Sequence, residues 1–357
     1  MRGISSLSSP SLSSVLSRRR LLPPPSPPAR RLSRSRRGSR GPSEDGVAPM
    51  DVLRKSSHRD GSIYKRTHAW KQIYRIAHRN ETWLEAMTLT DPAGCLIDIG
   101  SGYCKRHPPS RMFQIFSLKL AKTPTDDRPI QLYGYIAVRD HLDLLLNYVV
   151  NFRRDDPISV EQGSSISMIG PKRGIDLSGN IVVEYDMRIK TEEVKHDLQL
   201  MDGASMIRHK DLQDCRAFTR RIHGDHGAID LTASALDDAV EATVEVVISE
   251  VRSGFALRLG CFIGGVDEEI PIFDGVVGSE AHGLKLKRFV LAVAIRYWMK
   301  LEFKVAPESA RCQFAFMANN HGVSCRNMKM DFALFSVKVT WSSLPLRAPS
   351  LHRRSKN

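Results

Sequence analysis

Three short groups of cysteine and histidine offer the ligand types that hold zinc. Cys95, Cys104 and His107 form the first, Cys312, His321 and Cys325 the second, and His223 with His226 around a Gly-Asp turn the third. Structural zinc usually takes paired ligands spaced two to four residues apart at each end of the site. Neither cysteine group has that pairing at both ends, and two histidines flanking a turn are common in hairpins. The spacing therefore predicts no metal at any of the three, and nothing else in the chain calls for a cofactor. The six cysteines are too sparse in 357 residues for a disulfide framework. They are expected to be reduced, mostly buried small side chains.

Two further spacings have chemical meaning. Gly170-Pro171-Lys172-Arg173-Gly174-Ile175 joins two strand patterns and presents two cations on a rigid turn. Lys172 and Arg173 are an anion site in one interpretation and solvated turn charges in the other. Glu308-Ser309-Ala310-Arg311 has the Glu-x-x-Arg spacing that is catalytic in ribosome-inactivating N-glycosidases, where a helix aims both side chains at an adenine. Here Pro307 precedes the pair and a strand pattern begins at Arg311, so Glu308 and Arg311 need not share a face. Asp98-Ile99-Gly100-Ser101-Gly102 resembles the glycine-rich loop of methyltransferases that use S-adenosylmethionine. It lacks a proper strand before it and a helix after it, and Cys104 stands at the third glycine position. Serine-hydrolase elbows, phosphate loops and His-Glu-x-x-His are absent.

The elements that would position these residues are mostly strands. Apolar residues alternate with polar or charged ones in 181–189, 240–248 and 335–341, and every odd position of 289–305 is apolar. The last pattern predicts a pair of strands interrupted by a bulge. Shorter strands fit 112–120, 130–138, 158–168, 216–223, 254–263 and 311–318. Many strands with one wet face and no long helices between them predict an all-β fold, an antiparallel β-sandwich over 111–344. Before it, residues 50–110 are expected to be helical and irregular. Trp70, Ile73, Tyr74 and Ala77 follow a helical spacing over 64–80, with Arg75 and Arg79 among the cations of that helix. Such a basic helix either packs on its own domain or docks on RNA or a membrane surface. Asp140–Val150 hints at a helical turn.

The net charge of +14 invites a nucleic-acid partner, until it is located. Residues 1–43 carry ten arginines and no acid, and 347–357 carry four cations and no acid. Residues 44–346 balance 39 cations against 39 carboxylates. Nucleic acid is thus an unfavoured partner for the β region, and an unidentified protein is the expected one. No apolar run approaches the roughly 20 residues of a membrane span. The Ser/Arg/Pro-rich leader, 1–49, and the basic tail, 345–357, are expected to be disordered. Three alternatives stay open for the leader: a plastid-type transit peptide, a nuclear address, or a chain that starts at Met50. Cytoplasm and nucleus are the remaining compartments.

Met112–Leu120, Leu132–Asp140, Gly170–Ile175, Val240–Val251 and Ser336–Trp341 together resemble a cereal-grass family known as domain of unknown function 6598, over about 112–344. The resemblance implies a β-rich plant domain without established chemistry. In some grass proteins a similar domain stands beside a ribosome-inactivating domain, which implies stress or defence biology. Glu308 and Arg311 lie inside the β region and do not inherit the glycosidase role. The leading expectation is a non-catalytic interaction module. The alternatives are a toxin-like rRNA N-glycosidase and an anion- or nucleic-acid-binding module using Arg75, Arg79, Lys172 and Arg173.

Overall fold

The computed structural model describes residues 46–89, 95–100, 104–124, 128–279, 284–306 and 310–345. The leader to residue 45, the tail from 346 and Glu308 lie outside the described residues. The strands are β1 (Ser110–Lys122), β2 (Ile130–Arg139), β3 (Asn147–Phe152), β4 (Ile158–Val160), β5 (Ile175–Asp176), β6 (Ile181–Ile189), β7 (Leu198–Ile207), β8 (Phe218–His223) and β9 (Ala228–Ser249). They continue with β10 (Phe255–Ile263), β11 (Glu269–Val277), β12 (Leu284–Lys285), β13 (Phe289–Ala294), β14 (Trp298–Ala306), β15 (Ala310–Met317), β16 (Gly322–Lys329) and β17 (Leu334–Ser342). All the ladders between these strands are antiparallel.

The 22-residue β9 organises the molecule. It pairs with β1, β8, β12, β13 and β17 in an eight-stranded sheet. Its first half contributes odd positions (Ile229, Leu231, Ala233, Ala235) to one core, and its second half contributes even positions (Val240, Ala242, Val244, Val246, Ile248) to another. The parity changes where β1 and β9 slip by one residue, between the pairs Met112↔Leu236 and Ser110↔Ala239. Asp238 there has φ 49°, and an extra residue in one strand of a ladder is a β-bulge. The first core lies between the β1/β9 end of this sheet and a five-stranded sheet, β3-β2-β6-β7 with β4 beside β2. The second lies between the β9/β13/β17 end and a four-stranded sheet, β11-β10-β14-β15. The expected antiparallel sandwich is thus realised as two cores that share β9 and β1.

Three local expectations need correction. The pattern over 289–305 is a corner between sheets: β13 pairs with β9, and β14 pairs with β10. Asp140–Val150 forms no helical turn, because the Asp140 carboxylate accepts the amides of Leu142 (3.1 Å) and Asp143 (3.1 Å) and the chain then enters β3. The helix over 64–80 shrinks to α1 (Ala69–Ile73) after a 3₁₀ turn at Ser62–Tyr64. Arg75 turns left-handed at φ 47°, and Ile76 N–H reaches back to the Lys71 carbonyl, which closes the helix. Ile63, Tyr74 and Ile76 bury against Val182 of β6 and Ala204 of β7. Ile73, expected on the apolar face, is exposed. No helix among the described residues is long and apolar enough to cross a membrane.

Candidate functional site

The Gly170–Ile175 turn is built from inside. Asn147 holds its centre, donating to the Arg173 carbonyl (3.0 Å) and accepting the Lys172 amide (2.9 Å). The Arg173 guanidinium is fully buried and bidentate to Asp140, at 2.7 and 2.9 Å. Asp140 also accepts the Asp176 amide (2.8 Å), and buried Glu241 accepts the Gly174 amide (2.6 Å). Burial pushes the Glu241 carboxyl upward in pKa, against those hydrogen bonds. Glycine is required at the start of the turn, and at Gly174 it leaves room for the end of a methionine side chain. A Cβ on Gly170 would strike the Tyr148 carbonyl, and one on Gly174 would strike Met112. The pair of solvated cations expected here is therefore split. Arg173 cannot meet an external anion, because its charge is already matched beneath the turn.

Lys172 points the other way, into a cleft of about 360 Å³ that also meets Glu81, Glu85, Tyr148, Lys287 and Arg288. Its ammonium lies 2.7 Å from Glu85 Oε1 and donates to the Thr82 carbonyl at 3.1 Å. Arg288 takes the other oxygen of Glu85 at 3.1 Å. One carboxylate thus sits between two cations, with Lys287 alongside. The Glu85 side chain remains 54% exposed, so the pairing is reached from solvent.

A model of the family called domain of unknown function 6598 matches residues 112–339. The chain belongs to that family. Lys172 and Arg288 fall inside the matched region and Glu85 outside it, so a segment preceding the family domain supplies the carboxylate that the domain's cations hold. No curated protein matches the sequence. Solved structures similar to the chain include the paired C2 domains of extended synaptotagmin 2, with 9% identity and a TM-score of 0.25 over 71% of this chain and 97% of that one. Human GIVD cytosolic phospholipase A2 in complex with methyl gamma-linolenyl fluorophosphonate gives 7% identity and a TM-score of 0.20, over 66% of this chain and 32% of that one. At those scores the likeness carries no argument about this domain.

The other sequence candidates scatter. Arg75 closes α1, and the Arg79 guanidinium lies 5.2 Å over the Tyr64 ring. Lys71 of α1 is buried and donates to the carbonyls of Lys55 and Ser62, both at 2.6 Å. Arg311 stands on β15 in register with Lys304 of β14, which is itself in register with Arg258 of β10. A strand, and no helix, presents Arg311.

Sequence spacing missed a second buried charge network on the family domain. His58, from the preceding segment, donates to Asp202 Oδ1 of β7 (2.6 Å) and Glu184 Oε1 of β6 (3.1 Å). Arg139 of β2 holds the other Glu184 oxygen at 2.7 Å, and Tyr135 donates to Glu184 Oε1 at 2.8 Å. Burial alone would lower the His58 pKa, but the hydrogen bonds and charges of Asp202 and Glu184 together push it up to about 9. Both carboxylates are held low by the same contacts, against the cost of burial. Each partner's charge is matched by another's, so the network pins the preceding segment to the sheet and offers no free base.

The cysteine and histidine groups regroup in the fold. His321 leaves Cys312 and Cys325 and joins Cys95, Cys104 and His107. Cys312 is buried on β15 and Cys325 exposed on β16. The Cys104 thiol is lowered to about 6; burial opposes the shift, and hydrogen bonds from Cys95, His107 and two backbone amides outweigh it. The expectation of no metal rested on spacing along the chain, and the fold removes that ground.

Proposed function

We propose that the domain is a non-catalytic binding module that takes a carboxylate-bearing segment of a protein partner in the cleft beside the Gly170–Ile175 turn. The seat of Glu85 carries this reading: Lys172 and Arg288 hold its two oxygens on a surface open to solvent. The buried Arg173–Asp140 pair keeps the turn rigid, so Lys172 is presented with little ordering cost. Lining cations Lys172, Lys287 and Arg288 outnumber lining carboxylates Glu81 and Glu85, which favours an acidic partner. A nucleic-acid reading loses Arg173, which is buried against Asp140. An N-glycosidase reading needs Glu308 and Arg311 aimed together, and Arg311 stands on a strand among cations. A role in plant stress or defence rests on the resemblance set out from the sequence.

A fluorescent glutamate-rich peptide titrated with the full chain tests the reading. Binding is expected, weaker as salt rises, and at least about tenfold weaker for the double variant Lys172→Glu/Arg288→Glu. No binding by the wild type, or equal binding by the double variant, overturns it.

A further inference from the structure

Cys95, Cys104, His107 and His321 each place a ligand atom within 4.8 Å of the other three. We propose that these four side chains bind a structural zinc ion that fastens the segment before β1 to the β15–β16 turn. The inference is independent of the cleft, since no cleft-lining residue belongs to the cluster.

The chemistry of the set selects the ion. Two thiolates and two imidazoles in a tetrahedron suit zinc, and four protein ligands leave no open position, which marks a structural rather than a catalytic site. Zinc–sulfur bonds of about 2.3 Å and zinc–nitrogen bonds of about 2.0–2.1 Å set ligand separations of roughly 3.3–3.8 Å in a tetrahedron. Cys95 Sγ lies 3.1 Å from His321 Nε2, and Cys104 Sγ lies 3.3 Å from His107 Nδ1. The ion therefore needs the pairs to part by only a few tenths of an ångström.

The backbone is arranged to hold these ligands. Lys105 N–H donates to the Leu96 carbonyl at 2.8 Å and Ile97 forms an antiparallel bridge with Cys104, which sets the two cysteines side by side. The amides of Arg106 and His107 are directed at Cys104 Sγ. His107 follows Cys104 by three residues, the close pairing that zinc sites use. At the far side, Asn320, 6% exposed, donates to the His107 carbonyl at 2.9 Å, and Gly322 N–H donates to the Leu89 carbonyl at 2.7 Å. Outer contacts of this kind orient ligands and sharpen affinity. On binding, both thiols lose their protons to solvent, and the ion's two charges are cancelled by the two thiolates.

The test is the metal content of the untagged full chain, purified under reducing conditions. About one zinc per chain is expected, and reconstitution with cobalt(II) should give the intense visible absorption of a tetrahedral thiolate site. His321→Ala and Cys95→Ser should each lower the zinc content by about tenfold or more. Cys325→Ser, outside the cluster, should keep it. Zinc held by any other set of groups has no use for His321, so full zinc in His321→Ala overturns the proposal. A reduced wild type that takes up neither zinc nor cobalt overturns it as well, with no variant involved.

Discussion

Arg173 is fully buried with its guanidinium bidentate to Asp140, whereas the Lys172 side chain, one residue earlier, is 27% exposed and shares Glu85 with Arg288. Both belong to one turn and carry the same charge. Burial decides what each can do. A buried charge is committed to its partner, because losing that partner leaves an ion without water or countercharge. An exposed charge exchanges partners at little cost, which is what a binding surface requires. The turn thus has a frame below and a contact above, and the two can be disturbed separately.

The largest expected effect breaks the frame. Asp140→Ala strands the Arg173 guanidinium, and chemical denaturation should show a loss of about 3–5 kcal/mol. A loss under about 1 kcal/mol would mean that the pair does not hold the turn. The second frame, around His58, should show itself in pH dependence. Its pKa is raised from 6.5 to about 9, so its contribution is complete below about pH 6.5 and disappears as pH rises through 9. The stability difference between wild type and His58→Gln should shrink by up to about 3 kcal/mol between roughly pH 6 and pH 10. Glu184 and Asp202, held low, lose their contribution on the acid side as pH falls. A pH-independent difference would place His58 outside the network. The smallest stability effect belongs to the contact: Lys172→Ala should cost about 1 kcal/mol or less while weakening the acidic peptide. A stability loss matching that of Asp140→Ala would erase the distinction between frame and contact.

The strands were legible where apolar residues alternate with polar ones. In β14, and over 185–189 of β6, 244–249 of β9 and 334–338 of β17, that alternation follows burial, whereas buried Glu184, Glu241 and Thr340 keep the alternation elsewhere with both faces covered. β16 escaped because it is largely exposed, and an edge with little to bury has no apolar period. β11 escaped for a related reason: Pro271 breaks the pattern, as an edge strand allows. Corner and bulge geometry near Asp238 and Ile295 depends on which sheet each half joins, which no local pattern encodes. Of the site, Lys172 was legible from its turn, but Arg288 and Glu85 were not, since 203 residues separate them. His58 and Asp202 stand 144 residues apart. Cys95 and His321 stand 226 apart, so their convergence is a property of the β15–β16 turn and not of spacing.

The central claim is that Glu85 occupies the seat a partner's carboxylate would take. Titrating the same glutamate-rich peptide into wild type and Glu85→Gln side by side tests it most directly. Removing the internal carboxylate should leave Lys172 and Arg288 free to pair and tighten peptide binding by about threefold or more. Equal or weaker binding by Glu85→Gln would contradict the claim and make the ion pair an ordinary surface contact.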